Sequence, residues 1–248
     1  MSKTKYLFEY GLIAIFITML TIIFSLWFIG RENSRNRTLA PAFSDRGYVT
    51  FVIDAGHGGE DAGAVAADGT LEKDINLKIS KTLCMLFELN CNHTVMTRQN
   101  DTLLYDRYGD LDNYKGQKKI YDLKNRVRIT REEENPVFIG IHMNNFSKSK
   151  YRGLQVYFSN NNEYSQVIAE NIQKNTHTYI QNDNHRRIKQ ADSSIYVLHN
   201  LSCPAVLVEC GFMSNEEELS LFKTKEYRRN ISLVVFLSSL NGCIDKDV

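Results

Sequence analysis

Four side chains that can bind metals or transfer protons lie at unusual places in the sequence. His57 in FVIDAGHGGED, His142 in VFIGIHMNN and Glu209 in AVLVECGF each follow an apolar run. Glu72, in DGTLEKDIN, lies in what reads as the first turn of a helix. Two imidazoles and one carboxylate with an open fourth position form a hydrolytic zinc site, and the other glutamate is then available for proton transfer. The chain is therefore predicted to be a metal-dependent hydrolase.

Each of these residues also has an ordinary structural interpretation. The glycines around His57 could cradle a phosphate, but GHGG has neither the lysine of a P-loop nor GxGxxG spacing. An acidic residue such as Glu72 commonly complements a helix dipole, and His142 could be a satisfied core histidine. Glu209 follows only apolar residues, which would raise its pKa and suit a general base. Spacing alone does not say which glutamate binds metal. The remaining histidines are expected to be solvated: His93, His177, His185 and His199.

The chain alternates between strand-like and helix-like segments. Buried strands are predicted at 48–54, 93–98, 136–143, 153–158 and 204–212, and helices at 71–89, 119–132, 163–181 and after Ser214. This alternation predicts an α/β fold, a single domain with a twisted, mostly parallel sheet and helices on both faces. Ligands bind beyond the carboxyl ends of such strands, which is where His57, His142 and Glu209 are expected to meet.

Local patterns add detail to the predicted helices. Thr70 is a plausible N-cap for the first helix, and Ser214 with Glu217 reads as a capping box for the last. Two helices carry an apolar stripe for the core: Ile75, Ile79, Leu83 and Phe87 in the first, and Val167, Ile168, Ile172 and Tyr179 in the third.

Composition excludes several classes of protein. The 248 residues carry a formal net charge of +1, which argues against nucleic acid as a partner because no basic excess is present. The five cysteines form no CxxC pair, so neither a disulfide framework nor a thiolate zinc site is expected. Cys210, beside Glu209, could be a nucleophile, but a small residue at a strand end is the favoured interpretation.

The amino terminus is predicted to be a membrane anchor. Residues 12–29 carry no charge and as a helix are long enough to cross a bilayer. A cleavable signal is disfavoured because the small-residue site at 40–42 comes too late. Residues 1–30 are therefore assigned as an anchor or uncleaved signal, residues 31–46 as a polar linker, and 47–248 as the catalytic domain. The flanking charges do not decide the orientation.

The segments VIDAGHGGEDAGA, IGIHMN and AVLVECGFMSNEEE resemble the zinc-dependent N-acetylmuramoyl-L-alanine amidases over about residues 48–245. This resemblance implies an α/β fold and one zinc ion bound by His57, Glu72 and His142, with Glu209 as the catalytic acid/base. It also implies that Arg126 and Asn144 help to position substrate. Gly140 departs from the family pattern, where serine is usual.

The resemblance is greatest to spore-cortex amidases, which cut peptidoglycan between N-acetylmuramic acid and L-alanine and so begin muramic-δ-lactam formation. Such a substrate lies outside the cytoplasm, which implies that residues 31–248 are extracytoplasmic. An extracytoplasmic activator protein is a further partner that the sequence leaves open. The alternatives are a catalytically weak or partner-activated peptidoglycan-binding protein and a zinc carboxypeptidase acting on stem peptides.

Overall fold

The computed structural model describes residues 49–109 and 116–244, together with Thr18, Met19 and Thr21. The chain divides into two units, Met1–Gly47 and Tyr48–Val248, and the fold below is that of the second. Apart from the three residues named, the predicted anchor at 12–29 and linker at 31–46 lie outside the described part. Within that part, no helix is both long and apolar enough to cross a membrane.

One six-stranded sheet forms the centre of the second unit, in the order β2-β1-β3-β6-β4-β5. Strands β2, β1, β3 and β6 pair in parallel, whereas β4 pairs antiparallel with β6 and parallel with β5. The predicted mostly parallel sheet is therefore confirmed. The strands are β1 (Thr50–Ala55), β2 (His93–Met96), β3 (Pro136–Asn144), β4 (Gln155–Phe158), β5 (Lys189–Gln190) and β6 (Ala205–Phe212).

Helices cover both faces of the sheet. They are α1 (Glu72–Leu89), α2 (Lys118–Arg131), α3 (Tyr164–Tyr179), α4 (Tyr196–Asn200), α5 (Glu216–Lys223) and α6 (Lys225–Ile244). One core joins the first sheet face to α1, α3, α5 and α6, and a smaller core joins the second face to α2 and α4. The parallel strands thus have apolar residues on both sides, as the uninterrupted hydrophobic runs of the sequence predict.

The predicted stripe of α1 is buried: Ile75, Ile79, Leu83 and Phe87 are at most 3% exposed. Each such side chain contributes roughly 1.5–3 kcal/mol relative to its exposed state. The stripe of α3 is only partly correct. Ile168 and Ile172 are buried, but Tyr179 is 74% exposed because the helix ends there, beyond the edge of the core.

Two predicted caps are wrong. The N-cap of α5 is Asn215, whose Oδ1 accepts from Glu218 N, while Ser214 Oγ instead accepts from Phe146 N. Leu71, not Thr70, occupies the N-cap position of α1, and it makes no side-chain cap. In both places the chain enters the helix one residue later than the capping pattern indicates. At Ser214 the hydroxyl is occupied by the Phe146 N–H of another segment.

The side chain of Asn215 fixes the start of α5 in two directions, because its Nδ2 also donates to Ser149 O. Asn215→Ala should lower the free energy of unfolding by about 1 kcal/mol or more, the usual loss for an N-cap. Urea denaturation of the variant and of Ser214→Ala provides the measurement. A larger loss of unfolding free energy in Ser214→Ala would indicate that Ser214 is the N-cap, as the sequence predicts.

Candidate metal centre and active site

His57, Glu72 and His142 converge at the carboxyl end of the parallel strands. One ligand atom from each lies within 4.8 Å of the others. Glu72 Oε1 is 3.2 Å from His57 Nε2 and 3.3 Å from His142 Nδ1. The two rings meet edge to face with centroids 5.0 Å apart. Two imidazole nitrogens and a carboxylate oxygen around one point form a candidate metal site, and this donor set is the one that zinc hydrolases use.

The turn that carries His57 is left-handed. His57 follows β1 with φ +62°, a conformation that non-glycine residues adopt only when their surroundings impose it. Two buried arginines surround this turn. Arg98 donates to Ala55 O and Gly56 O, and Arg126 donates to Ala55 O and His57 O. These carbonyl contacts fix the backbone from which the His57 ring projects toward Glu72.

Two further side chains orient the candidate ligands. Asp61 Oδ2 lies 2.8 Å from His57 Nδ1, so Nε2 is the nitrogen left to face Glu72. Asn76, one turn after Glu72 on α1, donates to Glu72 Oε1 and to Gly56 O. Carboxylate and amide groups behind the ligands commonly fix the tautomer and direction of a metal-binding side chain.

The backbone leaves room for these ligands only because two glycines lack side chains. A Cβ on Gly56 would come within 2.2 Å of the His142 ring. A Cβ on Gly63, whose φ is +67°, would meet both Glu72 and the His57 ring. The glycine-rich sequence around His57 therefore serves close approach of side chains, and the phosphate-cradle interpretation does not describe it.

Glu72 is an ionised carboxylate surrounded by donors. Burial opposes its ionisation, but contacts with His142 and His57 outweigh that and hold the Glu72 pKa well below its ordinary value. Its oxygens also accept from Ala64 N and Met143 N. Burial lowers the pKa of His57, yet Asp61 and Glu72 raise it to about 9. The pocket therefore attracts positive charge, as a metal site must.

Glu209 has the opposite environment. It pairs with His142 in the β3–β6 register, so the two side chains are neighbours at the strand ends. Burial, together with the charge of Glu72, raises the Glu209 pKa to about 7 against the opposing effect of the imidazoles. Its Oε2 is buried and has no hydrogen-bond partner within the described part of the chain. A carboxyl group whose pKa is raised toward neutrality and that lies beside the candidate metal site is suited to acid/base chemistry.

Arg126 does not occupy the place that the resemblance implies for it. Its side chain is 2% exposed, and its N–H groups face Asp54, Asp122 and the carbonyl oxygens of Ala55 and His57. This geometry does not fit the predicted contact with substrate, because the buried guanidinium has no donor turned outward. Arg126 instead positions the turn that carries His57.

Asn144 lies where the sequence places it, at the carboxyl end of β3 and partly exposed. Its carbonyl accepts from Met213 N, which joins β3 to the end of β6. Contact between its side chain and substrate remains a prediction. Cys210 is fully buried and its pKa is raised well above the usual range by burial, which argues against a nucleophilic thiol.

Sequence reasoning missed Asp61, Asn76 and Arg98. The spacing of two of them could have indicated their role. Asp61 lies four residues after His57. Asn76 lies four residues after Glu72, on the same face of α1. Arg98 carried none, because an arginine after a strand usually reads as a solvated residue. Its burial follows from the fold of the 55–59 turn over it.

An α/β sheet with a His/Glu/His cluster and a protonatable glutamate at the same strand ends defines a metal-dependent hydrolase. The sequence model of the N-acetylmuramoyl-L-alanine amidase family matches residues 51–236. The chain therefore belongs to the N-acetylmuramoyl-L-alanine amidase family and is a hydrolase of that type.

Individual relatives agree with this assignment. The germination-specific N-acetylmuramoyl-L-alanine amidase of Bacillus subtilis is 27% identical over 92% of this chain and 94% of its own length. The CwlD amidase of Clostridioides difficile, solved in complex with the GerS lipoprotein, is 35% identical with a TM-score of 0.72, over 78% of this chain and 97% of that one. The AmiC2 amidase of Nostoc punctiforme is 28% identical with a TM-score of 0.65, over 79% and 97%.

The ion pairs of Arg126 make a direct prediction for stability. Arg126→Met would leave Asp54 and Asp122 buried without their partner, which should cost about 3–5 kcal/mol of unfolding free energy. Lys124→Met, at an exposed position of the same helix, should change it by less than about 0.5 kcal/mol. Chemical denaturation measures the free energy of unfolding of both variants. Equal effects would show that the ion pairs of Arg126 do not stabilise the fold.

Gly56 makes a prediction for metal binding. Gly56→Ala should displace the His142 ring and weaken metal affinity by about 10- to 100-fold, the range seen when groups that orient ligands are disturbed. Gly140→Ala is the matched control, since its Cβ would approach nothing closer than the Phe138 ring at 3.2 Å. Competition titration with a chelating dye measures both affinities. Unchanged affinity in Gly56→Ala would mean that His142 is not a ligand.

Proposed function

We propose that this chain is a zinc-dependent amidase that hydrolyses the amide bond between the lactyl group of N-acetylmuramic acid and L-alanine, and that it acts on spore-cortex peptidoglycan. The observation that supports this most directly is the juxtaposition of the His57, Glu72 and His142 cluster with the unpartnered, protonatable Glu209. Similarity to a germination-specific amidase supports the spore-cortex role.

His57, Glu72 and His142 would hold the zinc ion. The donor set fits zinc, and Asp61 leaves one nitrogen of His57 free to bind it. When bound there, zinc would lower the pKa of a water molecule and act as a Lewis acid. The remaining steps belong to the protein side chains.

Glu209 is the proton carrier in this proposal. As a carboxylate it accepts the proton of the attacking water, and as an acid it delivers that proton to the nitrogen of L-alanine when the amide bond breaks. Its carboxyl group lies beside the candidate ligands, because Glu209 is the register partner of His142. Glu72 cannot take this role because donors surround it and its pKa is low. Products are a free stem peptide and a glycan with a lactyl carboxylate.

The substrate determines the proposed location. Peptidoglycan lies outside the cytoplasm, so the catalytic domain would be extracytoplasmic, tethered by the predicted anchor at 12–29. The complex of the Clostridioides difficile relative with a lipoprotein supports an extracytoplasmic protein partner for this chain as well. Asn144, at the rim of the site, is proposed to contact substrate.

The test uses the full chain in mild detergent, with purified peptidoglycan and with either zinc or a chelator. Mass spectrometry should detect whole stem peptides only when zinc is present. Release of single amino acids would indicate a carboxypeptidase instead. A requirement for a second protein would revise the proposal to a partner-activated enzyme, and no release under any condition would refute it.

Glu209→Gln separates the two glutamates. The variant should lose at least about 10²-fold in turnover while still binding zinc, because only the proton carrier is removed. Glu163→Gln, at an exposed position before α3, is the matched control and should keep full activity. Turnover and zinc content are measured on the same samples. Loss of zinc from Glu209→Gln would mean that Glu209 is a ligand.

A further inference from the structure

A cavity is lined by the segments that precede β4 and β5, together with side chains of α5 and α6. It has a volume of about 330 Å³, and its cationic lining residues include Lys150, Arg152 and Arg186. The two acidic residues of the same lining already have partners. Glu218 turns inward to accept from Gly153 N and Phe212 N, and Asp183 pairs with Arg152. Within the described chain, Lys150 and Arg186 pair with no carboxylate. The cavity therefore presents positive charge to a ligand.

Arg186 is held rigidly at this cavity. Its guanidinium lies 4.6 Å from the centre of the Phe212 ring, a cation–π contact. Its Nε donates to Arg152 O, and its Nη1 donates to Gln155 Oε1. The second terminal nitrogen has no partner within the described residues. A guanidinium that is held along one edge and keeps N–H groups without a partner is preorganised to bind a carboxylate.

Gln155 connects this cavity to the catalytic carboxylate. Gln155 on β4 is the direct register partner of Glu209 on β6, and directly opposed side chains project from the same face of the sheet. Gln155 therefore lies between Arg186 and Glu209. Because Glu209 gives its proton to the leaving amine in the proposed function, the peptide half of the substrate must start beside Glu209 and can extend toward Gln155 and Arg186.

We propose that this cavity is a subsite for a free carboxylate of the stem peptide, and that Arg186 makes the enzyme prefer carboxylated over amidated stems. The first candidate is the α-carboxylate of the D-glutamate that follows L-alanine, since this residue is joined to the next one through its γ-carboxyl group. The inference rests on the proposed function, because the direction of the peptide follows from the role of Glu209.

The test compares two muramoyl tripeptides that differ only in whether this α-carboxyl group is free or amidated. The zinc-loaded full chain should show a kcat/KM at least about tenfold higher for the carboxylated substrate, as expected for a charge-assisted contact. The difference should appear mainly in KM, because the carboxylate is bound alike before and during reaction. Equal kcat/KM values for the two substrates would overturn the inference.

Arg186→Gln should remove the preference, and Arg186→Lys should retain part of it because the charge remains while the planar fork is lost. Arg229→Gln is the matched control, because Arg229 is exposed on α6 and does not line the cavity. It should keep the full preference. A preference that survives Arg186→Gln would contradict the assignment. If that variant does not fold, Arg186→Lys and the wild-type comparison still decide.

Calorimetric binding of the two free tripeptides, without the muramoyl group, separates this inference from the proposed function. The carboxylated peptide should bind at least about tenfold more tightly to the wild type, and the two should bind alike to Arg186→Gln. Equal binding to the wild type would refute the subsite even if both substrates are cleaved. Failure to cleave either substrate would refute the proposed function, while the binding difference would still decide the subsite.

Discussion

The backbone carbonyls of residues 55–57 receive hydrogen bonds from two buried arginines, and the catalytic end of the molecule depends on this contact. The left-handed conformation of His57 costs about 1–3 kcal/mol and persists only if its surroundings impose it. Arg98 and Arg126 supply that constraint from beneath the turn. Asp54 and Asp122 neutralise Arg126, so the charge can be buried. The contacts that hold the turn therefore come from the protein's own side chains.

The two glutamates of the site show how one sheet edge can support two kinds of chemistry. Glu72 is surrounded by backbone donors, by Asn76 and by two imidazoles, which favour its ionised form. Glu209 is buried beside a like charge and leaves one oxygen without a donor, which favours protonation. Environments that push two carboxyl pKa values apart are the usual basis for assigning one as ligand and the other as acid/base.

Much of this arrangement could be predicted from the sequence, because strand ends in parallel sheets must meet. His142 and Glu209 close apolar runs, and the structure makes them register partners. The position of Glu72 was readable but its role was not, since an acidic residue in a first helical turn is ordinary. Arg126 and Arg98 could not be interpreted from local patterns. Their burial depends on carboxylates and carbonyls distant in sequence, which only the folded turn brings together.

The claim that His57, Glu72 and His142 bind the metal is tested most directly by X-ray absorption at the zinc edge of the zinc-loaded protein. We expect one zinc ion with two imidazole ligands, and we expect every other ligand to be oxygen. The clustered donors are two ring nitrogens and a carboxylate. Scattering from a single imidazole, or from sulfur at the longer zinc–thiolate distance of about 2.3 Å, would contradict this metal centre.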